Sequence, residues 1–184
     1  MKRYRENAVK RGRISASKDI ETMGILILGM GNSILSDDAI GVRLAKDLKA
    51  RLDRLSAMPS ITVIEECSVG GMNLLDVAAD CDRLIVLDSI KTERGNPGTW
   101  YYFTAESLRE TMNLSNVHDT NFATALELGR RLGHKIPPEN EIHIFAVEVQ
   151  DNITFAEVMT PLLETAYPLI SEEIFKEVLQ LIRQ

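Results

Sequence analysis

From residue 24 onward, short unbroken apolar runs alternate with stretches in which apolar residues return every three or four positions. The first kind suits a strand buried on both faces and the second an amphipathic helix, so the alternation predicts an α/β domain on a mostly parallel sheet. Ile25-Leu-Ile-Leu28 reads as the first strand, and Gly29-Met-Gly31-Asn32 ends it. Ile40, Leu44, Leu48 and Leu52 then recur at a spacing of four, with Asp37 and Asp38 where a helix N-terminus favours negative charge. A second strand follows at Ile61 to Glu65, a short helix at Met72 to Ala79 and a third strand at Leu84 to Asp88. The turn Gly95-Asn-Pro-Gly98 leads into Trp100-Tyr-Tyr-Phe103, an aromatic run suited to an antiparallel edge strand, which makes the sheet mixed. Phe122, Leu126, Gly129 and Leu132 mark a helix stopped by Gly133, and Ile142 to Val147 a further strand. Thr154-x-x-Glu157 reads as a capping box, and Ile170, Ile174, Val178 and Leu181 as a long last helix interrupted near Pro168.

Composition narrows the partners. The 184 residues suffice for one sizeable core, and the net charge of -6 disfavours a sequence-independent grip on nucleic acid or anionic lipid. Residues Met1 to Thr22 carry seven Lys/Arg against three Asp/Glu, a local +4 that leaves -10 on residues 23–184. This basic arm lacks core-forming periodicity and a secretory apolar stretch, so 1–22 reads as a poorly ordered extension and 23–184 as a single domain. Apolar runs of four or five residues fall far below the roughly 20 of a membrane-spanning helix, which argues against membrane insertion. Cys67 and Cys81, fourteen apart, have no zinc-site spacing and read as reduced, non-catalytic thiols of a cytoplasmic protein.

Gly29-Met-Gly31 between a strand and a helix resembles half of a dinucleotide fingerprint, but Ile34 occupies the third glycine position. Asp37 and Asp38 would also compete with a pyrophosphate for the helix N-terminus, so no nucleotide cofactor is expected. Ligands of doubly wound sheets collect at the carboxyl ends of the strands. Asp38 follows the first strand by one loop, Asp88 ends the third, and His118 precedes the helix beginning near Asn121. Two carboxylates and an imidazole suit a divalent transition metal. Ordinary structural readings stand beside this one: Asp37 or Asp38 as an N-cap, Asp88 capping a turn, His118 as a loop histidine. His134, after the Gly133 stop, and His143, inside a strand pattern, read as structural.

Ile25-Leu-Ile-Leu-Gly-Met-Gly-Asn-Ser-Ile-Leu-Ser-Asp-Asp-Ala-Ile-Gly-Val42 resembles the opening of the hydrogenase maturation endopeptidases, which trim the C-terminal extension from the large subunit of nickel-iron hydrogenases. Gly71-Met-Asn-Leu-Leu75, Leu84-Ile-Val-Leu-Asp-Ser-Ile90, Asn96-Pro-Gly98, Val117-His118 with Ala125-Leu-Glu-Leu128, and Ile144-Phe-Ala-Val-Glu-Val149 resemble later segments of that family in order. The resemblance implies a three-layer α/β/α sandwich with about five strands. It also implies a metal-dependent endopeptidase, aspartic-type by some classifications, that activates a hydrogenase by processing its precursor. The family's metal positions fall on Asp38, Asp88 and His118, with Asp38 where many members carry Glu and Ser68-Val69 where a Gly-Thr pair is usual. By the same resemblance the nickel is supplied by the substrate precursor, and Gly31, Asn32 and Gly71 are expected to bind that precursor. A chaperone that holds nickel or the precursor without cutting is the competing reading.

Overall fold

A computed structural model describes residues 24–55, 60–67, 77–110 and 126–184. The basic arm, Gly71, the Ser68-Val69 pair, His118 and the expected helix starts at Met72 and Phe122 lie outside the described residues. Five strands, β1 (Ile25–Met30), β2 (Ile61–Cys67), β3 (Arg83–Ile90), β4 (Trp100–Thr104) and β5 (Ile142–Glu148), form one sheet in the order β2-β1-β3-β5-β4. All neighbours run parallel except β4, which pairs antiparallel with β5 at the edge. The sheet is therefore mixed, as the aromatic run after Gly98 predicts.

Alternation along the strands divides the core. Ile27, Ile85, Leu87, Phe145 and Val147 face helices α1 (Ile40–Leu52) and α3 (Pro161–Arg183). Leu26, Leu28, Leu84, Val86, Ile142 and Ile144 face the opposite layer, where Ala78, Ala105 and Leu126 pack; Ala105 opens the short helix α2 (Ala105–Glu110). Both faces are covered, which is why β1, β3 and β5 read as continuous apolar runs instead of alternating ones. Residues 126–131 are helical, and Gly133, with φ +85°, ends them as the sequence predicts. The backbone N–H of His134 donates to the Gly129 carbonyl there.

Two expectations at the C-terminal end are corrected. Thr154 and Glu157 lie in a loop and cap nothing; the last helix begins with Thr160 as N-cap and Pro161 in its first turn. Nor does Pro168 interrupt it, since the helix runs through all 23 residues from Pro161 to Arg183. Pro168 is exposed, so the carbonyl that loses its amide partner can turn to water, while Leu163, Tyr167, Ile170, Ile174, Val178 and Ile182 keep the buried stripe continuous. The helix is also fixed to α1 by the Tyr167 hydroxyl, which donates to Asp47 Oδ2 at 2.6 Å, and by Arg43, which pairs with Glu164 at 2.7 Å and lies over the Tyr167 ring.

At the amino end of β5, His143 is buried beneath Tyr102, its Nδ1 2.9 Å from the Tyr102 hydroxyl and its Nε2 without a partner among the described residues. Burial, reinforced by the Arg83 charge, pushes its pKa below the ordinary 6.5. The imidazole is neutral in the fold and gains a proton more readily when unfolded. As pH drops below about 6.5 the unfolded chain binds more protons, so stability declines, by at most about 1.4 kcal/mol per pH unit for one group. Urea denaturation at pH 7.5 and 5.5 should show this acid-side loss in the wild type and a smaller loss in His143→Phe; equal losses would remove His143 as the cause.

Candidate active site at the carboxyl edge of the sheet

From β1 the chain crosses through α1 to β2 on one side, then returns to β3 on the other. The crevice outside the carboxyl ends of β1 and β3 is thus the topological switch point of the sheet, where ligands of open α/β sheets bind. Two glycines make it compact. A Cβ on Gly41, in the first turn of α1, would lie 2.3 Å from the Met30 carbonyl oxygen and 2.4 Å from that of Leu87, so only glycine lets the helix rest on both strand ends. Gly31 has φ +122°, and a Cβ there would lie 2.1 Å from the Asp38 carbonyl oxygen.

Asp38 sits half-buried in the 3-10 turn Ser36–Ala39 that leads into α1. Its Oδ2 accepts the backbone N–H of Asn32 at 2.9 Å and its Oδ1 accepts the Ser89 hydroxyl at 2.7 Å. Ser89's own backbone N–H donates to Asp88 Oδ1 at 2.7 Å. One residue of β3 therefore tethers both predicted carboxylates, Asp38 through its side chain and Asp88 through its main chain. Asn32 orients Asp38 with its backbone, while its side-chain Oδ1 accepts the Ile34 N–H at 3.2 Å and shapes the turn.

Two further carboxylates at this edge are wholly engaged by the protein. Asp37 is fully buried: Oδ1 accepts the Thr160 N–H at 2.6 Å, and Oδ2 accepts the N–H groups of Gln150 and Asp151 and the Thr160 hydroxyl at 3.1, 2.9 and 3.0 Å. It is a clamp on the loop between β5 and α3, not a helix cap. Glu148, also buried, accepts the N–H and hydroxyl of Thr92 at 2.6 and 3.1 Å, and its carboxyl carbon occupies the space a Cβ on Gly95 would need. Asp38 and Asp88, joined through Ser89, are the half-buried pair at the switch point. Among the described residues no three His, Cys, Asp or Glu side chains gather as a metal-binding group, and His118, the third predicted member, is not among those residues.

Sequence reading singles out Asp38 and Asp88, offers Asp37 only as a helix cap, and gives no role to Ser89 or to Glu148. A serine directly after a strand-ending aspartate, and a glutamate closing an otherwise apolar run, are the only local signals. The cysteines stay outside the site: both are buried, and burial pushes the Cys81 thiol up to about 11, leaving little thiolate at neutral pH.

Known proteins resemble most of this chain. The HycI hydrogenase maturation protease family model matches residues 42–177. A hydrogenase 2 maturation protease of Escherichia coli K12 is 30% identical over 164 residues, which cover 82% of this chain and 98% of that one. The solved structure of the hydrogenase maturating endopeptidase HybD from E. coli superposes with a TM-score of 0.66 at 26% identity, over 86% of this chain and 93% of that one. The [NiFe] hydrogenase maturation protease HybD from Thermococcus kodakarensis, at 19% identity and a TM-score of 0.60 over 84% and 98%, shares the fold.

Proposed function

The chain belongs to the hydrogenase maturation protease family, and from that premise we propose that it removes the C-terminal extension of a nickel-iron hydrogenase large-subunit precursor after nickel insertion, in the cytoplasm. In this reading Asp38, Asp88 and His118 engage the nickel that the precursor carries, which makes the metal part of the substrate. Oxygen and nitrogen donors of this kind suit Ni²⁺. The observation that carries the reading is the Ser89 tether, which sets the two carboxylates at the switch point. Nickel arriving with the precursor supplies Lewis-acid polarisation of the scissile carbonyl. The chain's own contribution is to hold that group and to receive a proton from the attacking water on Asp38 or Asp88. Gly31, Asn32 and Gly71 are assigned to the path of the precursor tail. Among the described residues no helix is long and apolar enough to cross a membrane.

A chaperone that binds the precursor without cutting has no specific observation in its favour, and the relatives are named as proteases. Mass spectrometry of a nickel-loaded large-subunit precursor before and after incubation tests the proposal: loss of a C-terminal peptide is expected, and an unchanged mass refutes it. Ser89→Ala adds a finer check. It keeps the backbone bond to Asp88 but frees one oxygen of Asp38, and we expect processing to slow about tenfold, equivalent to ~1.4 kcal/mol of lost positioning. An unaltered rate would show that the hydroxyl does not position Asp38.

A further inference from the structure

Ile153, Phe155 and Val158 are the three most exposed large apolar side chains among the described residues, at 74%, 78% and 68%, and Ile34 is 53% exposed. All four lie on two segments joined to one another beside Asp38. Leu35 pairs with Phe155 in an antiparallel bridge, the Ala156 N–H donates to the Ile34 carbonyl at 3.1 Å, and the Ser36 hydroxyl donates to the Val158 carbonyl at 3.4 Å. The exposure does not come from a loose loop. The Asp37 clamp holds residues 150, 151 and 160, and Asp151 Oδ1 accepts the N–H groups of Ile153 and Thr154, both at 3.1 Å.

We infer that Ile34, Ile153, Phe155 and Val158 form a preformed docking surface for an apolar segment of the precursor polypeptide next to its scissile bond. The inference rests on the proposed site, because its occupant follows from continuity. An endopeptidase substrate must cross the β1/β3 crevice to reach Asp38, and the segment from Asn32 to Ser36 that carries Ile34 also donates the N–H bond that orients Asp38. A polypeptide leaving the crevice on this side meets the apolar rim directly. Rigid apolar groups that are exposed in the free protein and covered in the complex are the usual anchors of recognition.

The test separates binding from chemistry. In the full chain, I153S/F155S/V158S should raise the KM for nickel-loaded precursor at least about 30-fold, with kcat within about twofold and an unchanged melting temperature. Leu169→Ser, which alters the next most exposed apolar side chain, on α3, should leave KM unchanged. Processing-deficient Asp38→Asn should still bind immobilised precursor measurably, and adding the triple substitution should weaken that residual binding at least about 30-fold. An unchanged KM in the folded triple variant overturns the docking surface. So does a wild-type dimer that the triple substitution converts to monomer without affecting KM, which would assign the patch to a second copy of the chain. The two readings fail separately, because the affinity lost on adding the triple substitution to either background reports on the patch and activity of Asp38→Asn reports on the site.

Discussion

Asp38→Asn should leave the protein folded and processing reduced at least about 100-fold, the scale of losing a general base or a metal-engaging carboxylate. The fold survives because the amide can satisfy both neighbours of the original side chain. Its carbonyl oxygen takes the Asn32 N–H, and its NH2 faces the Ser89 hydroxyl, which can rotate from donor to acceptor. The melting temperature should therefore shift by no more than about 2 °C. Asp88→Asn and His118→Ala should lose processing to a similar degree, whereas His134→Ala, after the helix stop at Gly133, should process normally. The checks are precursor mass spectrometry and Ni²⁺ titration of each folded variant. Normal processing by Asp38→Asn, or equal damage from His134→Ala, would overturn the site.

The same substitution one residue earlier should have the opposite effect. In Asp37→Asn, both carboxylate oxygens face backbone N–H donors, Thr160 on one side and Gln150 with Asp151 on the other. Whichever way the amide turns, its NH2 points at a backbone N–H, and one side of the clamp becomes donor against donor. Each abandoned donor costs ~1–3 kcal/mol when buried, but this loop is only partly covered, so we expect a loss of about 2–4 kcal/mol. For a domain of this size that corresponds to a melting temperature lower by about 4–16 °C. Residual activity at low temperature should exceed that of Asp38→Asn, since Asp37 positions the 150–160 loop without joining the carboxylate pair. Thermal melting and low-temperature processing of the two variants give the comparison. A stable but inactive Asp37→Asn would exchange the roles assigned to the two aspartates.

The pattern of apolar residues by itself determined β1, β3, β5 and α1, because strands buried on both faces must be continuously apolar and a packed helix must repeat its apolar side, while the turn and aromatic run from Gly95 to Phe103 gave the edge strand that makes the sheet mixed. It also placed Asp38 and Asp88 at strand ends, where topology alone gives them a chance to meet. It could not read through Pro168, since a local breaker yields when six buried hydrophobic side chains on the same helix offset the lost hydrogen bond and the freed carbonyl faces water. The capping box at Thr154 and Glu157 misled for a related reason. A capping motif is local, and here the loop is held by Asp37, more than a hundred residues away in sequence. The sequence reading took Asp38 over Asp37, and the tertiary structure supplies the physical difference between them. Adjacent and chemically identical, they differ because the 3-10 turn aims one at the donors of the β5–α3 loop and the other at Asn32 and Ser89.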